Sequence, residues 1–304
     1  MRVIIEISVG ESPGQLSLED AESIAAAAHD LGATGLLIAD ATAGRHGIDP
    51  SVVGAHLAAR HERLHYVIEA PTTGNAPYNL ARRILSLDRA TGGRTGLLLR
   101  PGGGDEVSDA VAPGPAASPE DRWSEYAEIL TELWESFPAN ALRGDQRAGI
   151  VADDTLIRPI DHEGAFYRVA GPLDGPSSPQ GRPPLFAADP GLLGWDRVAA
   201  IADAVIVPAG RLADAAAELA DAAGRHHRRR SDIALSARLD ATTPVATVAG
   251  WADTGAADGA VLVASADVAA TIDRIQEIVP LFAQAPDTTL RTALHHREIV
   301  AAHR

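Results

Sequence analysis

The stretch PYNLARRILSLDRATGGR, residues 77–94, carries apolar side chains at helical spacing and predicts a single helix. Pro77 occupies a first-turn position, where its missing N–H costs no hydrogen bond, and the two glycines at the end favour termination. The apolar run that follows, residues 95–99, predicts a buried strand, as does HYVIEA at 65–70. Two strands with a helix between them indicate a β-α-β unit with parallel strands.

Similar runs recur along the whole chain. Apolar segments predict eight strands, which begin near residues 3, 35, 65, 95, 184, 203, 232 and 258. Amphipathic stretches separate them, and the later helices are predicted over residues 191–202, 211–223, 244–254 and 267–284. Eight repeats indicate a closed (β/α)8 TIM barrel, since an open doubly wound sheet usually stops at about five or six strands. We therefore expect residues 1–304 to form one α/β barrel domain.

Two segments interrupt this regular spacing. Residues 101–117 follow the fourth strand and are rich in glycine and proline, so we expect a mobile loop on the barrel face where active sites lie. Residues 138–183 separate the fourth helix from the fifth strand and are long for a connection. Within them we expect turns around a short extended segment, AFYRVA.

Composition and charge exclude several classes of protein. A formal net charge of −15 argues against a nucleic-acid partner, because such binding depends on clustered lysine and arginine. The dense basic run RHHRRR at 225–230 is better explained as a solvated turn than as an anion site. The chain has no cysteine, which removes disulfides, thiolate catalysis and cysteine metal sites. No run approaches membrane-spanning length, and Glu6 interrupts the first one, so we expect a cytoplasmic protein without signal peptide or membrane contact.

Four blocks of sequence resemble one known family. The stretches TTGNAPYNLARRILSLDRATGGR, DRWSEYAEILTELWESF, IDHEGAFYRVAGPLDGPSSPQGRPPLFAA and DTTLRTAL are similar, in this order, to the bacterial luciferase-like flavin monooxygenases, in the nitrilotriacetate, dibenzothiophene-sulfone and long-chain alkane branch. The resemblance implies a luciferase-like TIM barrel. It also implies reduced FMN, with a deazaflavin as the variant, and dioxygen to oxygenate a small organic substrate. We expect a homodimer and a flavin reductase as partner.

The resemblance points to two positions near the flavin. Asp40, at the end of the second strand, matches a family position near the flavin, and Thr72 or Thr73, at the end of the third, matches a threonine that approaches the ring. All three follow strands at the barrel face that carries active sites. A helix-capping or turn role for Asp40, and a turn role for Thr72, explain these residues equally well.

Elsewhere the chain departs from the family pattern. The fourth strand ends LLLRP, where the branch has polar residues. Trp123 stands where the branch has a tyrosine, and it is a candidate flavin contact. Arg100 offers a bidentate phosphate contact or, equally, a structural salt bridge to Asp40 or Asp189.

At the predicted phosphate end the chain reads AADPG, where the branch has a small polar turn. Ala188 and Gly191 remain candidate flavin contacts, since Gly191 keeps a backbone N–H. Asp189, in contrast, puts a negative charge beside the predicted phosphate.

Other chemistries have weaker support. Asp161, His162 and Glu163 are consecutive and cannot all point at one metal ion, and the adjacent histidine pairs lack the spacing that puts two imidazoles on one helical face. We predict no metal site and assign no catalytic residue. The sequence favours an FMN-linked monooxygenase. A non-catalytic barrel with a degenerate flavin site and, more remotely, a sugar or phosphate-ester hydrolase remain alternatives.

Overall fold

Eight parallel strands close into a barrel. The computed structural model describes residues 2–40, 47–102, 118–240, 242–282 and 289–294. Within them the barrel strands are β1 Arg2–Ser8, β2 Gly35–Ala39, β3 His65–Pro71, β4 Thr95–Arg100, β5 Leu185–Ala188, β6 Ala204–Pro208, β7 Ala234–Leu239 and β8 Gly259–Val263. Each pairs with the next in sequence, and β8 pairs with β1. The predicted TIM barrel is confirmed, and every strand begins within two residues of its predicted position.

Each barrel strand is followed by a helix. They are α1 Leu18–Leu31, α2 Pro50–Ala58, α3 Pro77–Ala90, α4 Pro119–Glu135, α5 Trp195–Ile201, α6 Leu212–Arg225, α7 Val245–Thr254 and α8 Val268–Ile278. Pro77 opens α3 as predicted, and Gly92 and Gly93 follow it with φ of 69° and 89°. The helix predicted over 191–202 is divided into Pro190–Leu193 and α5, because Gly194 adopts a φ of 85° that ends the first piece.

The long connection between α4 and β5 packs against the outside of α3 and α4. It contains two short antiparallel hairpins, Leu142–Asp145 with Ile150–Ala152 and His162–Glu163 with Arg168–Val169. The second is held to α4 by Glu125, whose carboxylate accepts hydrogen bonds from the backbone nitrogens of Phe166 and Tyr167. The loop predicted over residues 101–117 lies outside the described residues from 103 onward.

A short helix, Leu290–Ala293, closes the amino-terminal end of the barrel. Leu290, Ala293 and Leu294 join the apolar side chains that fill the barrel interior. The backbone nitrogen of Leu290 donates to the carbonyl of Gly93, just before β4, and the Arg2 side chain donates to the carbonyl of Ala293. This segment therefore completes the core at the amino-terminal end of the barrel.

A buried ion pair fixes that closing segment. Arg291 donates to both carboxylate oxygens of Asp203, at 3.0 and 3.3 Å, and Arg182 lies 3.5 Å from the same carboxylate. Burial alone would raise the pKa of Asp203, but the two arginines hold it well below its ordinary value. Gln180 adds a second link, since it accepts from the Arg291 backbone nitrogen and donates to Asp88.

These contacts involve parts of three of the four blocks that resemble the family. SLD, SPQGRP and DTTLRTAL supply Asp88, Gln180 and Arg291, which meet at the amino-terminal end of the barrel. These three residues therefore stabilise the scaffold at the end opposite to the strand ends where barrels build active sites. No helix among the described residues is long and apolar enough to cross a bilayer.

Candidate active site at the carboxyl ends of the strands

A cavity of about 580 Å³ opens at the carboxyl ends of the barrel strands. Its apolar wall is formed by Leu37, Leu98, Ala188, Ile206, Val207 and Val263. Its charged lining consists of Glu6, Glu69, Arg100, Asp189, Arg238 and Asp240. The volume falls within the range of about 300–1,000 Å³ that small-molecule sites occupy.

Two ion pairs cross the floor of this cavity. Arg238 on β7 donates from Nε and Nη2 to the two carboxylate oxygens of Glu6 on β1, and Arg100 on β4 donates from Nη1 to Glu69 on β3 at 3.1 Å. Each of these charged residues interrupts an otherwise apolar strand. Sequence reasoning did not identify Glu6, Glu69 or Arg238 as site residues, although a lone charge at the end of a buried strand is a usable signal.

The Arg100–Glu69 pair follows from the register of its strands. Pro71 is opposite Arg100, and side chains two residues apart on a strand share a face, so Glu69 and Arg100 both point into the barrel. Arg100 therefore pairs with Glu69, and the suggested salt bridge to Asp40 or Asp189 is wrong. The Glu69 side chain is only 4% exposed, whereas that of Arg100 is 41% exposed. Nε and Nη2 of Arg100 make no hydrogen bond with the described residues.

Burial raises the pKa of Glu69 to about 7. Arg100 lowers this pKa, while the neighbouring charges of Glu6 and Asp40 raise it. Glu69 is consequently a carboxyl group that exchanges a proton near neutral pH at the floor of the cavity.

Thr72 and Trp123 hold the backbone on either side of Arg100. The buried Thr72 hydroxyl accepts from the backbone nitrogen of Gly102 at 2.9 Å, and the Trp123 indole donates to the carbonyl of Leu99 at 2.8 Å. A Cβ at Gly102 would overlap Thr73, so only glycine allows this close approach. Both side chains therefore position the end of β4, and neither lines the cavity.

The remaining predicted residues lie around the rim. Asp40 follows β2, and its charge acts on Glu69. Ala188 lines the cavity, and Asp189 follows it with a left-handed φ of 51° and an exposed side chain. Gly191 lies in the four-residue helix Pro190–Leu193, outside the residues that line the cavity. The structure thus brings Arg100, Ala188 and Asp189 together at one opening.

The other charged stretches serve the scaffold. In the basic run, Arg225 pairs with Asp196, Arg230 pairs with Asp258, and Arg228 donates to two backbone carbonyls. His162 lies 3.2 Å from Glu125 on α4. In the part of the chain that the structure describes, no three histidine or carboxylate side chains are grouped as metal ligands would be.

The fold and this cavity agree with a family assignment. The model of the luciferase-like monooxygenases matches residues 1–278, and the chain belongs to that family. The dibenzothiophene-sulfone monooxygenase of Rhodococcus erythropolis is 32% identical over 152 residues, which cover 48% of this chain and 33% of that protein. Nitrilotriacetate monooxygenase component A of Aminobacter aminovorans is 31% identical over 181 residues, which cover 59% of this chain and 40% of that protein. The alignments thus span well under half the length of these relatives.

Solved structures share the whole barrel. EDTA monooxygenase from Chelativorans sp. BNC1 superposes with a TM-score of 0.80 at 19% identity, covering 99% of this chain and 100% of that one. An F420-dependent secondary alcohol dehydrogenase superposes with a TM-score of 0.67 at 14% identity, and the match covers 92% of this chain and 98% of that one. At these identities the likeness establishes the fold, and the fold is shared by enzymes named for different reactions.

Proposed function

We propose that this protein is a flavin-dependent monooxygenase that uses reduced FMN and dioxygen to oxygenate a small organic substrate. The observation that carries the proposal is the cavity of about 580 Å³ at the carboxyl ends of the strands, in a chain that belongs to the luciferase-like monooxygenases. In TIM barrels this end is where active sites are built.

The residues of the cavity suit the two parts of FMN differently. The apolar wall fits the face of a planar aromatic ring, and it would exclude water from the reacting face. Arg100 offers two guanidinium nitrogens to a phosphate, because only Nη1 is engaged by Glu69. Glu69 and Asp189 oppose an anion at the same opening, so the phosphate depends on Arg100.

When bound, reduced FMN supplies the activation of dioxygen. The chain's own residues would bind the cofactor and orient it. Leu98, Ile206 and Val263 form the apolar surface, Arg100 fixes an anionic group, and Glu69 holds a proton at a carboxylate oxygen. Thr72 and Trp123 act indirectly by fixing the backbone that carries Arg100.

A flavin reductase, a small-molecule substrate and a homodimeric state complete the proposal. The name of one relative, component A of a nitrilotriacetate monooxygenase, denotes one part of an enzyme with several components, which supports a separate reductase. A deazaflavin in place of FMN is the alternative that the F420-dependent structural relative suggests.

Anaerobic titration tests the proposal directly. We expect reduced FMN to bind in the micromolar range, monitored by flavin absorbance, and more tightly than a reduced deazaflavin. A deazaflavin that binds more tightly than FMN would replace the cofactor assignment. Failure of FMN, riboflavin and the deazaflavin to bind would refute the monooxygenase and favour a non-catalytic barrel.

Replacing Asp189 by Ser should tighten FMN by about two- to fivefold, because it removes an exposed like charge from the opening. Riboflavin, which lacks the phosphate, should be nearly unaffected. Asp221→Ser is the matched control, since Asp221 is exposed on α6 and lies outside the cavity lining. An equal gain for riboflavin would contradict the charge explanation.

A further inference from the structure

The pair formed by Arg100 and Glu69 is unequal in its exposure to the cavity. Glu69 is almost fully buried at the floor, while Arg100 is nearly half exposed and keeps two guanidinium nitrogens without a partner among the described residues. Arg100 can therefore turn its free donors toward a ligand in the cavity. Glu69 has no comparable access to solvent.

Charges at the opening do not favour an anion while every carboxylate is ionised. Glu69 faces Arg100 from β4, Glu6 from β1, Asp40 after β2 and Arg238 from β7. The cavity is lined by two arginines, Arg100 and Arg238. The carboxylates of its lining outnumber them and are those of Glu6, Glu69, Asp189 and Asp240. An arriving phosphate would also have to compete with Glu69 for Arg100. Loss of the Glu69 charge removes both obstacles at once.

We propose that Arg100 and Glu69 form a proton-coupled anion site: an anionic group of the ligand takes over Arg100, and Glu69 takes up one proton from solvent as it does so. In the proposed function, on which this inference rests, the anionic group is the phosphate of FMN. Glu69 is accordingly a specificity-determining residue for the charge of the ligand.

The energetics of Glu69 support this coupling. Burial already raises the pKa of Glu69 to about 7, so the proton is gained near neutral pH. Arg100 is the neighbour that lowers this pKa most, and an anion bound to Arg100 cancels that attraction. The pKa in the complex must then lie above that of the free protein, and linkage requires anion binding to weaken as the pH rises.

A comparison of FMN with riboflavin isolates the phosphate. Reduced FMN should bind roughly tenfold more weakly at pH 8 than at pH 6. At pH 8 Glu69 is ionised in the free protein, so part of the binding free energy is used to protonate it. The affinity for reduced riboflavin should change by less than about twofold between these pH values. This figure applies after correction for titration of the ring, which both flavins share. The phosphate itself gains charge near pH 6, which would strengthen its binding to arginine as the pH rises.

Calorimetry on the unmodified protein provides a second measurement. Titrations at pH 8 in two buffers with different ionisation enthalpies should show uptake of about one proton per FMN and none attributable to riboflavin. This readout does not require any variant to fold.

Variants assign the proton to Glu69. Glu69→Gln should abolish the pH dependence of FMN binding and tighten FMN at pH 8, with Glu128→Gln on the exposed face of α4 as control. Arg100→Gln should reduce FMN affinity to that of riboflavin at both pH values. FMN binding that is independent of pH, without proton uptake, would overturn this inference and leave the proposed function standing. Absence of binding by every flavin and the deazaflavin would overturn the proposed function itself.

Discussion

Replacing Arg291 by Ala should lower the free energy of unfolding by about 3–5 kcal/mol. Asp203 is fully buried, and Arg291 provides two of its hydrogen bonds. Without Arg291 this carboxylate keeps the more distant Arg182, at 3.5 Å, as its salt-bridge partner among the described residues, and it must remain desolvated. The Arg291 backbone nitrogen would still bond to Gln180, so the loss reports on the side chain.

Urea unfolding at neutral pH measures this effect. Arg229→Ala is the matched control, because Arg229 pairs with Asp232 at the surface and such pairs contribute at most about 1 kcal/mol. The double variant Arg291→Met with Asp203→Asn should recover part of the loss, since it removes the unpaired buried charge. A single variant as stable as the control would show that the closing segment is not held by this pair.

Glu69→Gln should change the pH dependence of stability by about 3 kcal/mol, the free-energy equivalent of a pKa raised from 4.5 to about 7. The raised pKa means that the folded protein disfavours the ionised carboxylate. The native chain therefore loses stability as the pH rises from about 4.5 to about 7, and the glutamine variant lacks this loss. Burial of Asp88 raises its pKa to about 6, but Asp88 contributes equally to both proteins.

Unfolding curves of both proteins at pH 4.5 and pH 8 test the sign as well as the size. The stability of the variant relative to the native chain should increase with pH, and Glu128→Gln should show no such trend. Parallel curves for Glu69→Gln and the native chain would mean that Glu69 is well solvated in the folded state.

Local patterns predicted most of the fold. The buried strands appear as apolar runs, and α3 carries its own start and stop signals in Pro77, Gly92 and Gly93. These signals depend only on neighbours in sequence, so they can be recognised without knowledge of the tertiary structure. The division of the fifth helix was missed because Gly194 inside a helical pattern can be tolerated as readily as it can end the helix.

The charged floor of the cavity could not be predicted in the same way. The pair of Glu6 with Arg238 joins residues 232 positions apart and forms only because the barrel closes β8 between them. Arg100 was recognised as a candidate, but its partner depends on the register between β3 and β4. Trp123 is a candidate flavin contact from the sequence, whereas in the structure its indole donates to the carbonyl of Leu99.

The short helix at residues 290–293 also constrains when the protein can finish folding. Its side chains fill the barrel interior next to Ile4 and Phe186, and its carbonyl at Ala293 receives the Arg2 side chain from 291 residues away. During synthesis, the first strand must therefore wait for almost the entire described chain before its end of the barrel is sealed. Until that helix docks, the amino-terminal opening exposes apolar surface, and sealing it brings together two segments that lie 291 residues apart in the sequence.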